Sequence, residues 1–199
     1  SDMINGDNTV QITGLGVLEI TQPEVTTIEA EASGFTVMAD IGSNGQVQTS
    51  QSTSSFLSND KAVKLYDVGD RVRYTFDISE NAEYQINVRL RSGNAASPTA
   101  YWPNGYSFTL NSTALSMQGD VETVSNKDAA FGTSYWGTMK SEIQALNTGT
   151  YTLDIEARIT WGLVDYIEII KKSSQVVETR VLNVQDSVVF DGVQVGEVV

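Results

Sequence analysis

The 199-residue chain contains neither cysteine nor histidine. Without cysteine there is no disulfide framework and no thiol nucleophile. Without histidine, the commonest general base and the commonest transition-metal ligand are both missing. Any metal the chain holds must therefore be a hard, oxygen-liganded cation, for which calcium is the default candidate. Basic residues are scarce as well: 12 Lys and Arg stand against 25 Asp and Glu, a net charge of -13. That imbalance argues against nucleic acid and anionic membrane as partners, because both would be repelled. Neutral polysaccharides and cations are compatible with it. The chain has no run of about 18 apolar residues, so no membrane span is expected. No signal peptide is visible, and the opening Ser1-Asp2-Met3 looks like a cloning remnant, which leaves a secreted parent open.

What is present is alternation. In "GDRVRYTFDI", Val72, Tyr74, Phe76 and Ile78 fall on one face of an extended chain, and Arg71, Arg73, Thr75 and Asp77 on the other. "EYQINVRLR" repeats the pattern with Tyr84, Ile86, Val88 and Leu90. "YSFTL" repeats it with Tyr106, Phe108 and Leu110, and "YTLDIEARI" with Tyr151, Leu153, Ile155, Ala157 and Ile159. "VDYIEII" adds a short, heavily apolar strand. Helical periodicity is weak throughout; "KSEIQAL" reads as a helical turn or a strand. Residues 43–60 and 92–106 read as long polar surface segments, the first with frayed edge strands as its other reading. The expected fold class is all-β, a β-sandwich with long loops, spanning residues 26–172. Strand-like extensions flank it at 1–25 and 173–199, as a small appended sheet or as pieces of neighbouring domains.

"TTIEAEASGF" places Glu29 and Glu31 on the same side of an extended strand, where two like charges repel. Either both face solvent on an edge strand, or something positive lies between them.

The order of motifs resembles carbohydrate-binding modules of families 6 and 35. It is carried by Ile28 to Glu31, Gly69-Asp70 with Tyr74, Tyr84 to Arg89, the loop around Trp136, Gly149 with Tyr151, and Asp165 to Glu168. The resemblance implies a jelly-roll sandwich with a structural calcium and no catalytic activity of its own. It also implies Glu29, Glu31 and Asp165 as calcium ligands that staple the first strand to the last. A divalent cation turns the repulsion of clustered carboxylates into attraction.

Sugar rings stack their C–H faces on aromatic side chains while a few polar groups fix the hydroxyls. The rings outside the alternating core are Tyr101 and Trp102, Tyr135 and Trp136, and Trp161. The resemblance assigns Trp136 as the stacking tryptophan and Tyr66 as the aromatic opposite it, displaced by about one position from the family pattern. The family's assisting asparagine is Leu163 here, which points to a modified cleft or to a second site on the sandwich face. Arg71, Arg73, Arg89 and Arg91 are outward-facing and suited to hydroxyls, acidic sugars or surface carboxylates.

The resulting expectation is a non-catalytic module that binds a polysaccharide and is covalently linked to a larger, secreted polysaccharide-degrading enzyme. The competing classes are a structural or adhesion sandwich of a surface protein, which the Val-rich tail suits, and a small glycosidase using two carboxylates.

Overall fold

Strands that alternate between apolar and polar must cover their apolar faces, and in a chain with little helical periodicity two sheets do so by packing against each other. The computed structural model, which describes residues 23–32, 34–51, 57–91, 104–119, 127–128 and 134–172, has this architecture. Every described element is a strand: β1 (Glu24–Glu29), β2 (Phe35–Ala39), β3 (Gln48–Gln51), β4 (Lys61–Leu65), β5 (Arg71–Ile78), β6 (Ala82–Arg91) and β7 (Tyr106–Leu110). They continue as β8 (Thr113–Ala114), β9 (Met117–Gln118), β10 (Lys127–Asp128), β11 (Ser134–Ser141), β12 (Gln144–Leu146), β13 (Gly149–Ala157) and β14 (Gly162–Lys171). One sheet has nine strands, ordered β10-β11-β6-β14-β4-β3, with β1 also on β14, β12 on β6 and β9 on β11. The other has five, ordered β2-β5-β13-β7-β8. All pairings are antiparallel.

The core is the set that alternation marks. Val72, Tyr74, Phe76 and Ile78 face Ile86, Val88 and Leu90 across the sandwich, joined by Phe108, Leu153, Ile155, Val164 and Ile167, all buried. The "KSEIQAL" stretch is strand: β11 runs to Ser141, and β12 follows it on β6. Residues 1–22 and 173–199, which carry the two expected extensions, lie outside the described residues.

Strand β14 organises the functional end of the domain. One edge pairs with β6 along most of its length. The other edge pairs first with β4, through Gly162 to Val164, and then with β1, through Tyr166 to Lys171. Asp165 is the residue at which the neighbour changes. The β6 register shifts there, between Val164 and Tyr166. A bulge of this kind re-aims one side chain while the ladder on either side continues.

Candidate functional site

Two groups of residues converge on this end of β14. The first is aromatic. Tyr66 follows β4 and Trp161 precedes β14, and because Leu65 pairs with Gly162 the two rings meet just beyond the ladder. The Trp161 backbone N–H donates to the Tyr66 carbonyl at 3.1 Å. The rings are edge-to-face, with centroids 5.3 Å apart and planes at 75°, a favoured geometry for an aromatic pair. Tyr66 is 9% exposed and Trp161 39%, so the tyrosine is the support and the tryptophan the open surface. A Cβ at position 45 would lie 3.1 Å from the Tyr66 ring, so Gly45 lets the backbone pack flat against it. The Tyr66 hydroxyl accepts from Gln48 Nε2 at 3.2 Å, and Lys64 Nζ lies 5.5 Å from the ring centroid.

Trp161 has φ of 63°, a left-handed conformation that places a Cβ-bearing residue under strain of roughly 1–2 kcal/mol. Its N–H bond to Tyr66 and the Arg91 Nη1 donation to its carbonyl at 3.4 Å hold it there. The neighbouring loop is fixed by the aspartate of the "GD" motif. Asp70 is fully buried and accepts from the backbone N–H of Ile41 and of Asp67, each at 2.8 Å. Asp67 accepts in turn from Asn44, through its backbone N–H at 3.0 Å and its side-chain amide at 2.6 Å.

The second group is acidic. β1 ends at Glu29 and the chain turns, with Ala32 N–H bonded to the Glu29 carbonyl at 3.0 Å. Glu29 and Glu31 therefore do not share one strand face, as the spacing had implied; only Glu29 lies in the strand. They are brought near each other through the segment before β4. Ser58 Oγ is 2.5 Å from Glu29 Oε2 and 3.0 Å from Asp165 Oδ1, and Ser58 N–H donates to that same Asp165 oxygen at 3.1 Å. Asn59 Nδ2 donates to Glu31 Oε1 at 2.9 Å. A serine hydroxyl carries one hydrogen, so it cannot donate to both carboxylates at once. Asp165 is 1% exposed, and burial raises its carboxyl pKa from 3.8 to about 6, with Ser58 and Arg89 opposing the rise and Glu29 adding to it. Asp165 Oδ2 and Glu31 Oε2 are buried without a hydrogen-bond partner, as is the Tyr74 hydroxyl, whose pKa is raised by burial and then by the Glu31 charge. Among the described residues no three acidic groups stand close enough to share an ion as they are placed. The donor set is all oxygen, with two buried carboxylate oxygens that accept no hydrogen bond, one of them 3.9 Å from Arg89 Nε, and an overloaded hydroxyl, and this chemistry fits a hard cation.

The remaining expected residues divide. Trp136 is not an exposed platform: it is 0% exposed. It points to the outer face of the nine-stranded sheet, on the row shared with Arg91 and Leu163, where Leu57, Ala62 and Leu163 enclose it. Its ring also carries the Arg89 guanidinium, 5.7 Å from its centroid. Leu163 explains the difference, because an apolar residue at that position builds a second hydrophobic cluster that draws in the tryptophan. Tyr66 faces Trp161, not Trp136. Tyr135 lies opposite Lys127 in the β10–β11 ladder, and its side chain is outside the described set, as are Tyr101 and Trp102 entirely. Of the outward arginines, Arg73 holds Asp154 with two contacts at 2.6 and 2.8 Å, and Arg71 pairs with Glu156 at 3.7 Å. Arg89 lies 3.9 Å from Asp165. Sequence reading missed Ser58, Gln48 and Gly45. All three lie in the 43–60 stretch, which the sequence marked only as a polar segment.

No protein-family model and no curated protein matches the chain. Several solved structures are similar. The C-terminal family 6 carbohydrate-binding module of LamC, a marine laminarinase from Zobellia galactanivorans, is 18% identical, with a TM-score of 0.47, over 74% of this chain and 100% of that one. The module CBM6cm-2 from Cellvibrio mixtus lichenase 5A, solved with cellotriose, is 20% identical, with a TM-score of 0.46, over 74% and 97%. The family 35 module of Cellvibrio japonicus Abf62 is 13% identical, with a TM-score of 0.49, over 75% and 95%.

Proposed function

We propose that this domain is a non-catalytic carbohydrate-binding module whose contact surface is centred on Trp161. The observation that carries the reading is one exposed indole, held edge-on by a buried tyrosine at the mouth of a β-sandwich, with hydrogen-bonding side chains beside it. A flat apolar ring, with the Gln48 amide and the Lys64 ammonium on the tyrosine that supports it, suits a ligand that is apolar on its face and hydroxylated at its rim, which describes a pyranose. Trp161 replaces Trp136 as the stacking residue, and Tyr66 keeps a role as its support.

The motif resemblance extends the proposal to a structural calcium held by Glu29, Glu31 and Asp165. That ion would supply charge neutralisation where β1 and β4 abut on β14, and no chemistry. It extends it further to a secreted setting and to linkage with a larger polysaccharide-acting enzyme, whose local substrate concentration such a module raises. The test is affinity electrophoresis of the wild type and Trp161→Ala against xylan, agarose, β-glucan, pectin and alginate. Retardation by at least one polysaccharide, lost in the variant, is expected; migration unaffected by every polymer would sink the reading.

A further inference from the structure

The outer face of the nine-stranded sheet carries a groove of about 940 Å³ that shares no lining residue with the aromatic pair. It is centred on Asn87, four residues before the end of β6, or about 13 Å along the strand from Arg91. Its floor is a cross-strand row fixed by register: Gln118 on β9 opposes Lys140 on β11, Lys140 opposes Asn87, and Asn87 opposes Glu168 on β14. None of the lining residues is aromatic, so this groove recognises by hydrogen bond and charge instead of by stacking.

Asn87 decides which chemistry. It is 6% exposed, and its Nδ2 donates to Glu168 Oε2 at 3.1 Å. A carboxylate only accepts, so the amide cannot be flipped and Oδ1 must be the other end. That Oδ1 has no hydrogen-bond partner, an arrangement that is unfavourable unless a donor fills it. Gln85, another amide lining the groove, is already engaged at both ends, donating to the Ser141 carbonyl at 3.0 Å and accepting from Lys172 Nζ at 2.8 Å. The groove thus offers an orphan acceptor beside a half-buried carboxylate; Glu142 adds a second negative charge, and of the two ammonium groups at hand Lys140 lines the groove while Lys172 is taken up by Gln85. A neutral hydroxyl would satisfy Asn87 and leave Glu168 uncompensated. An ammonium satisfies both, through charge-assisted hydrogen bonds, and the chain's -13 charge draws a cationic polymer toward it.

From this we infer that the groove is a second ligand site, separate from the Trp161 surface, that takes a primary ammonium group on the free-amine hexosamine units of a glycan. The glycan as carrier rests on the proposed function; the ammonium site on Asn87 and Glu168 does not.

The experiment is titration of the full chain, at about pH 6, with a β-1,4-linked glucosamine tetramer and with its fully N-acetylated counterpart. At that pH most of the tetramer's amines are protonated, and a carboxylate of ordinary pKa is ionised. Calorimetry gives affinity and backbone and side-chain amide NMR gives position. The amine tetramer should bind with shifts centred on Asn87, Lys140 and Glu168, and should weaken with added salt. Glu168→Gln, nearly isosteric, should lower affinity roughly tenfold or more, while Lys140→Met, which removes a like charge, should raise it. Trp161→Ala should leave amine binding within about twofold, even if the same variant shows the aromatic surface to bind nothing. Equal affinity for the acetylated tetramer at this groove, or undiminished amine binding in Glu168→Gln, would overturn the inference. So would loss of amine binding in Trp161→Ala, since the groove would then not be a separate site.

Discussion

Trp161 donates its backbone N–H to the carbonyl of Tyr66 and stands edge-on to that residue's ring, with 5.3 Å between centroids. The bond pins the left-handed backbone that aims the indole outward. Function and stability are therefore opposed at this residue. Trp161→Ala should reduce polysaccharide affinity at least tenfold, the loss expected for a central aromatic anchor. Trp161→Gly removes the ring and also relieves the left-handed strain. It should bind as poorly as the alanine variant yet melt at a higher temperature than it does. Calorimetric melting of the two variants side by side checks this, and a glycine variant less stable than the alanine one would show that the backbone there is unstrained.

Trp136 should behave as a core residue. Removing a fully buried indole leaves a cavity among Leu57, Ala62 and Leu163, and Trp136→Ala should lower unfolding free energy by about 3–5 kcal/mol. Trp136→Phe should lose less, and should bind polysaccharide like the wild type once both are measured well below their melting temperatures. A selective loss of affinity in the phenylalanine variant, at unchanged melting temperature, would return Trp136 to the contact surface.

The inward faces of β5, β6, β7 and β13 were legible because a period of two fixes which residues share a side, whatever the strands' final neighbours. Trp136 was misread for the same reason. Its outward position is correct, but alternation says nothing about what covers the outer face. Ala62 and Leu163, apolar at outward positions of β4 and β14, were the sequence's sign that a second cluster forms there. The Glu29–Glu31 spacing was read as one continuous strand, whereas the chain turns at residues 30–32, where Ala30 N–H bonds to the Asp165 carbonyl at 2.9 Å. Long-range pairing, not local propensity, ends β1. Ser58 could not be singled out, because its importance lies in a contact 107 residues away.

Calcium should stabilise the domain through the junction of β1, β4 and β14. An ion at about a hundredfold its dissociation constant contributes roughly 2.7 kcal/mol, which for a domain of this size shifts melting by roughly 5–10 °C. Chelation should lower the melting temperature by about that amount and affect glycan affinity only slightly, because Trp161 is held by Tyr66 and not by the carboxylates. In Glu29→Gln and Asp165→Asn, calcium should no longer raise the melting temperature. A melting temperature indifferent to chelator in the wild type would remove the ion from the proposal.

The pH dependence should reverse with the ion. In chelator, the folded-state pKa of Asp165 lies near 6 against 3.8 for the free group, burial being the largest cause. Between those values the native state holds a proton that the unfolded chain has released, so stability falls as pH rises through that window. The rise in pKa corresponds to roughly 3 kcal/mol once pH exceeds 6. With calcium bound, the carboxylates are ionised in the native state and their folded pKa drops below the unfolded value. Stability is then present above about pH 4 and lost as acid protonates the ligands. Melting curves from pH 4 to 7 should therefore slope downward with pH in chelator and upward in calcium. Asp165→Asn should flatten the chelator curve, because the amide has no proton to exchange in this range. A chelator curve that slopes upward in the wild type would mean that Asp165 is ionised without an ion, and that Ser58 and Arg89 already balance its charge.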